Sequence, residues 1–134
     1  MNDTNKVIHK LLSSDAGIIA LVGTRVYCPR APENTDKPFL TFKGSGGTGN
    51  PYIPDIPEPA VQIDCWAEDL KEAREIYWAV YSLLQGLQGE SVTIGANTYR
   101  VLSAIEEVAG QDLEDVDIPG LFRVVSYYRF IIEA

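Results

Sequence analysis

The chain has 134 residues, enough for one domain that buries roughly two thirds of its unfolded surface, and 46% of it is apolar. A net charge of −8 argues against a direct grip on nucleic acid, whose phosphates are held by Lys and Arg, and no apolar run is long enough to span a bilayer. The polar start "MNDTNK" leads into no signal-like core, so the protein is expected in the cytosol where it is made.

In chain order, Val7, Ile8, Leu11 and Leu12 fall on one stripe of an amphipathic helix, with Asp3 or Thr4 as its cap. Asp15 caps a second short helix, "AGIIALV", which Gly23 stops. A brief strand over 25–28 precedes the loop "PRAPENTDKP", and "FLTFK" is the next strand. In "AVQIDCWA", Val61, Ile63 and Cys65 alternate with Gln62, Asp64 and Trp66, so the two sets face opposite sides of a sheet. A long helix is predicted over 70–87, where Leu70, Ala73, Ile76, Tyr77, Val80, Leu83, Leu84 and Leu87 make one broad apolar face. Trp78 points almost opposite, among Lys71, Arg74, Glu75, Ser82 and Gln85. A hairpin turning at 95–97 and the final strand "LFRVVSYYRFIIEA" follow, separated by a loop at 110–120 that carries four acids. Helices at intervals with hairpin-linked strands indicate an α+β fold. We expect a single domain over 1–134, with a mostly antiparallel sheet of about four to five strands packed on the long helix and the short N-terminal one.

Residues 44–59 form the expected flexible Gly/Pro loop. Gly44, Gly46 and Gly49 match G-x-G-x-x-G after a strand, but a dinucleotide turn needs the third glycine to open a helix. Pro51, Pro54, Pro57 and Pro59 prevent one, and Asn50 stands where a phosphate loop requires lysine. Loops of this length are usually functional or disordered. The glycines give freedom of direction, the prolines stiffen the return, and Tyr52, Ile53 and Ile56 ride on that arm as apolar anchors for a partner.

Reactive clusters are missing. His9 is the only histidine, beside two helix-end serines, Ser13 and Ser14, and reads as a helix-surface or part-buried residue. Cys28 and Cys65 read as two buried thiols rather than a disulfide, and with His9 they show no zinc-ligand spacing. The acids Asp112, Glu114, Asp115 and Asp117 lack the calcium-loop frame, and the adjacent Glu106 and Glu107 diverge to opposite faces. No catalytic residue, metal site or cofactor is expected.

The segments "LLSSDAGIIALVGTRVYCPRAPENTDKPFLTF", "VQIDCWAEDLKEAREIYWAV" and "YRFIIEA", in that order over nearly the whole chain, resemble a family of small tail-completion proteins from long-tailed bacteriophages, related in fold to tail terminators. The resemblance implies a hexameric ring of this chain at the head-proximal end of the tail tube. Such a ring contacts the tail tube protein, terminates the tail, presents a docking surface for the head connector, and lets DNA pass without gripping its sequence. It also implies a place in the virion at the head–tail junction after assembly in the host cytoplasm, with no enzyme activity, cofactor or membrane contact. The alternative is a monomeric cytosolic binding module or small enzyme with a pocket between helix and sheet. On the ring reading, Trp78 is a further interface candidate, because tryptophan is costly to leave wet and is enriched among interface anchors.

Overall fold

In a computed structural model, residues 3–49, 56–115, 117, 118 and 120–133 are described. The helices are α1 (Thr4–Ser13), α2 (Ala16–Val22) and α3 (Leu70–Leu84), and the strands are β1 (Val26–Tyr27), β2 (Phe39–Thr48), β3 (Glu58–Ala67), β4 (Leu87–Ile94), β5 (Asn97–Glu114) and β6 (Phe122–Glu133). The fold is α+β as expected. Its single sheet has six strands, not four to five, in the order β1-β2-β3-β6-β5-β4. Only β1 runs parallel to its neighbour β2; the other pairings are antiparallel.

Local chemistry sets the helices. The side chains of Asp3, Asp15 and Asp69 accept hydrogen bonds from the first free amides of α1, α2 and α3, which satisfies donors that a helix start otherwise leaves unpaired. Gly23, at φ +62°, ends α2. All three helices lie on one face of the sheet, where Ile8, Leu12, Ile18, Ile76 and Val80 pack with Phe42, Ile63, Tyr128 and Phe130 in one apolar core. α1 touches both edge strands, β1 and β4, so the sheet curls around the core and α1 covers the gap between its edges, which limits edge-to-edge pairing there. No helix among the described residues is long and apolar enough to cross a membrane.

The structure corrects three boundaries. α3 stops at Leu84, with 15 residues, rather than continuing to Leu87. Gln85 leaves the helix at ψ 118°, Gly86 takes φ +79°, and Leu87 pairs with Ala104 as the first residue of β4. Leu87 is apolar enough for either element, and the pairing decides. The expected 44–59 loop is shorter, because β2 runs through the glycines to Thr48 and registers Gly46 with Ala60, Gly47 with Pro59 and Thr48 with Glu58. Gly47 sits at φ +122°, and a Cβ there would fall 2.3 Å from the Glu58 carbonyl oxygen, so glycine permits the close backbone approach. The connection left is 49–57. At the other end of the sheet the acidic loop shrinks from 110–120 to 115–121, since β5 pairs with β6 as far as Glu114 opposite Phe122. Three register irregularities in β5 absorb the extra residues, as β-bulges do.

Candidate assembly surfaces

The helices cover one face of the sheet and leave the other open. The alternation in β3 assigns Gln62, Asp64 and Trp66 to that open face, and register adds Phe39, Thr41 and Lys43 from β2 and Arg123, Val125, Tyr127 and Arg129 from β6. A row of rings and charge crosses it. Phe39 stacks on Trp66 at 5.7 Å and 19°, the Arg123 guanidinium lies 5.2 Å from the Trp66 ring centroid, and Trp66 Nε1 donates to Thr41 Oγ1 at 3.0 Å. One residue pair further along, Asp64 accepts from Gln62 Nε2 at 3.1 Å and meets Arg123 Nη1 at 3.6 Å. Burial pushes the Asp64 carboxyl above its ordinary range, against the opposing pull of Gln62, Arg123 and Lys43. Residues 29–37 and the β5–β6 connection wall this row into a groove of about 870 Å³, to which Ile118 and Leu121 contribute apolar surface and Arg30, Lys37 and Lys43 positive charge. Further across the same face, Ile105 and Val108 are about half exposed.

On the helical side, Trp78 is 50% exposed. It meets Tyr77 at 5.0 Å and Tyr81 at 5.2 Å, edge to face in both cases, and the Arg74 guanidinium at 5.7 Å. Arg74 also reaches β5, donating to the Gly110 carbonyl at 3.4 Å and pairing with Asp112 at 3.3 Å. Beneath this patch, Tyr77 and Tyr128 both donate their phenol hydrogens to Glu106 Oε2, at 2.5 and 3.2 Å. Desolvation, reinforced by the Glu106 carboxylate, raises both phenols above their ordinary value. The ring cluster is therefore held in place by a polar network that ties α3 to β5 and β6.

Two of the three arm candidates, Tyr52 and Ile53, lie outside the described residues. Ile56 is half-buried at the root of the arm, where the Ile132 amide donates to the Pro57 carbonyl at 3.1 Å and fixes the chain's return into β3. The arm and Trp78 are not brought together into one site. Sequence reasoning missed the groove, although the aromatic and charged side of the β3 alternation carried its signal; the Arg74–Tyr77–Glu106 network left no such signal, because its members are distant in sequence.

The lone histidine behaves as a helix-surface residue, exposed and donating from Nε2 to the Val26 carbonyl at 3.1 Å. It borders a second cavity of about 690 Å³ beside α1, with Lys6, Lys10 and Cys28. Cys28 is exposed, which corrects the expectation of two buried thiols, while Cys65 is buried and both are free. Cys28 lies just past the end of β1, at the edge of that cavity, rather than on a core-facing strand position. Glu106 and Glu107 do diverge, the second meeting Arg129 at 3.0 Å on the open face. No three His, Cys, Asp or Glu side chains among the described residues are grouped to hold a metal ion.

The family described as "Tail completion protein gp17" matches residues 6–133. Among solved structures, the fold is similar to that of a chain in the structure titled "Virion of native gene transfer agent (GTA) particle", with a TM-score of 0.66 and 18% identity over 96% of this chain and 93% of that one. Among curated protein sequences, none matches significantly.

Proposed function

The chain belongs to the tail completion protein gp17 family, and from that premise we propose that it is a structural part of a phage-type tail whose copies close into a hexameric ring at the head-proximal end of the tail tube. The ring terminates the tail, contacts the tube protein on one side and offers the head connector or stopper a docking surface on the other, with DNA passing through. The single observation that carries this reading is the family match from residue 6 to residue 133.

The surface chemistry agrees with it. A sheet face without helices and a half-exposed tryptophan among two tyrosines and an arginine have the composition of protein interfaces, where aromatic residues and Arg are enriched. The net charge of −8 would let DNA pass rather than hold it. Trp78, Ile56, Tyr52 and Ile53 are assigned to contacts between copies or with the tail. The reading assigns the chain no catalytic step and a place at the head–tail junction of the virion after assembly in the host cytoplasm. Cryo-electron microscopy of particles made with and without the protein tests it. The expected result is a six-fold layer between tube and head that disappears, with loss of joined particles, when the protein is omitted; normal particles without it, or a layer of another symmetry, would overturn it.

A further inference from the structure

We propose that Glu106 is a positioning residue for the contact assigned to Trp78: by holding the Tyr77 phenol, it sets the direction in which the indole faces a partner. The inference deepens the ring reading and rests on it for the existence of that contact.

Half of Trp78 lies in solvent, so its neighbours rather than the core decide where its ring points. Tyr77 and Tyr81 meet it edge to face, and the Arg74 guanidinium lies 5.7 Å from its centroid. Of the two tyrosines, Tyr77 is the buried one, at 3% exposed, and its hydroxyl reaches the sheet to donate to Glu106 Oε2 at 2.5 Å. The same oxygen accepts from Tyr128 at 3.2 Å, and Tyr128 is fully buried on β6. The Glu106 amide donates to Gln85 Oε1 at 2.7 Å, just past the end of α3. Glu106 is therefore fixed from the sheet and from the helix end, and its charge-assisted bond fixes the tip of the Tyr77 ring.

Arg74 gives a second route from the sheet to the same indole. It donates to the Gly110 carbonyl and pairs with Asp112. A Cβ on Gly110 would fall 2.9 Å from Tyr77 Cε1 and 3.0 Å from Arg74 Nη1, so ring and guanidinium both lie flush on β5. Trp78 is thus oriented against the sheet as well as on its own helix. A ring of subunits closes only when every contact repeats the right rotation. An anchor whose direction is fixed before association also loses less freedom when it docks. An apolar side chain at position 106 could fill space; the carboxylate adds direction, which is what a satisfied polar network supplies.

The test is a mutant cycle in tail completion. Glu106→Leu and Tyr77→Phe should each raise the protein concentration needed to complete tails roughly three- to tenfold, the cost of immobilising one more side chain on association. In a Trp78→Ala background neither should add to the defect, because the residue they act through is gone. Ile63→Val, which shortens a buried side chain on β3, is the control that lowers stability and leaves completion unchanged. Tyr77→Phe keeps the ring, so it stays informative even where Glu106→Leu fails to fold. Fluorescence anisotropy in a Trp66→Phe protein, where Trp78 is the one tryptophan left, reads the position directly. The indole should move more freely in both variants, and Glu106→Gln, which keeps an acceptor for the phenol, should restore it. Unchanged anisotropy, normal completion by both variants while Trp78→Ala is defective, or equal losses with and without Trp78 overturns the positioning role alone. Trp78→Ala that completes tails at the wild-type concentration overturns the contact itself.

Discussion

Replacing Trp78 with alanine separates the two roles an aromatic residue can have on α3. A tryptophan brings about 250 Å² of surface to a contact. At 50% exposed, Trp78 leaves roughly 125 Å² for a partner, which at about 25 cal/mol per Å² corresponds to about 3 kcal/mol of association free energy. Its covered half rests on Tyr77, Tyr81 and Arg74, neighbours on the same helix that it also meets in part in the unfolded chain, so full area credit overstates its worth to folding. Alanine also favours the helix by about 0.5 kcal/mol. The isolated domain should therefore lose only on the order of 1–2 kcal/mol, while ring formation weakens about a hundredfold, near the 3 kcal/mol transfer figure. Urea unfolding of the isolated protein gives the first quantity, and the concentration of protein needed to complete tails gives the second. A variant that unfolds with a loss above about 3 kcal/mol yet completes tails at the wild-type concentration would show that Trp78 is part of the core and refute its assignment to an interface.

The remaining predictions concern the hairpin, the groove and the thiols. Gly47→Ala should cost more than about 2 kcal/mol, because the added Cβ meets the Glu58 carbonyl at 2.3 Å and φ is +122°; Gly44→Ala, with nothing within 4 Å of its Cβ, should be neutral or stabilising by roughly 0.5–1 kcal/mol in thermal unfolding. Burial holds the Asp64 carboxyl above its ordinary 3.8, so its contribution is complete below that value and is lost as the pH rises through the folded one. The wild type should accordingly lose stability relative to Asp64→Asn as the pH rises from the ordinary 3.8 through the raised folded value, and a wild type that instead gains on the variant as the pH rises contradicts the burial argument. A thiol reagent at neutral pH should modify Cys28 in the native protein and Cys65 only after unfolding, since one is exposed and the other buried; rapid modification of both would show that the sheet opens near Cys65.

The helices were legible in the sequence, because their signals are local. Asp3, Asp15 and Asp69 each cap an amide two or three residues away, and the apolar stripes of α1 and α3 repeat within a few turns, so α1 and α2 hold their expected bounds and α3 its start. The alternation of β3 was equally local, and it correctly set Val61, Ile63 and Cys65 on the side opposite Gln62, Asp64 and Trp66; the structure shows the first set to be the one in the core. Trp78 was legible by the same helical arithmetic. The sequence also carried the family, through turn and packing residues in order, although none of them is a chemical signature.

What only the tertiary structure decided has one physical source: backbone hydrogen bonds whose partners are far along the chain. Gly44–Gly47 have the composition of a loop, yet they pair with residues near Pro59 across the hairpin. Asp112 and Glu114 look like solvated loop acids, yet Val124 and Phe122 on β6 draw them into β5. Leu87 fits the helical stripe, and Ala104 claims it for β4. The groove followed from the same pairings, because registering Phe39 with Trp66 and Trp66 with Arg123 assembles a ring stack and a cation from three strands. A strand's own residues state which way its side chains alternate; which other strand satisfies its amides and carbonyls is fixed only when the whole sheet closes around its core.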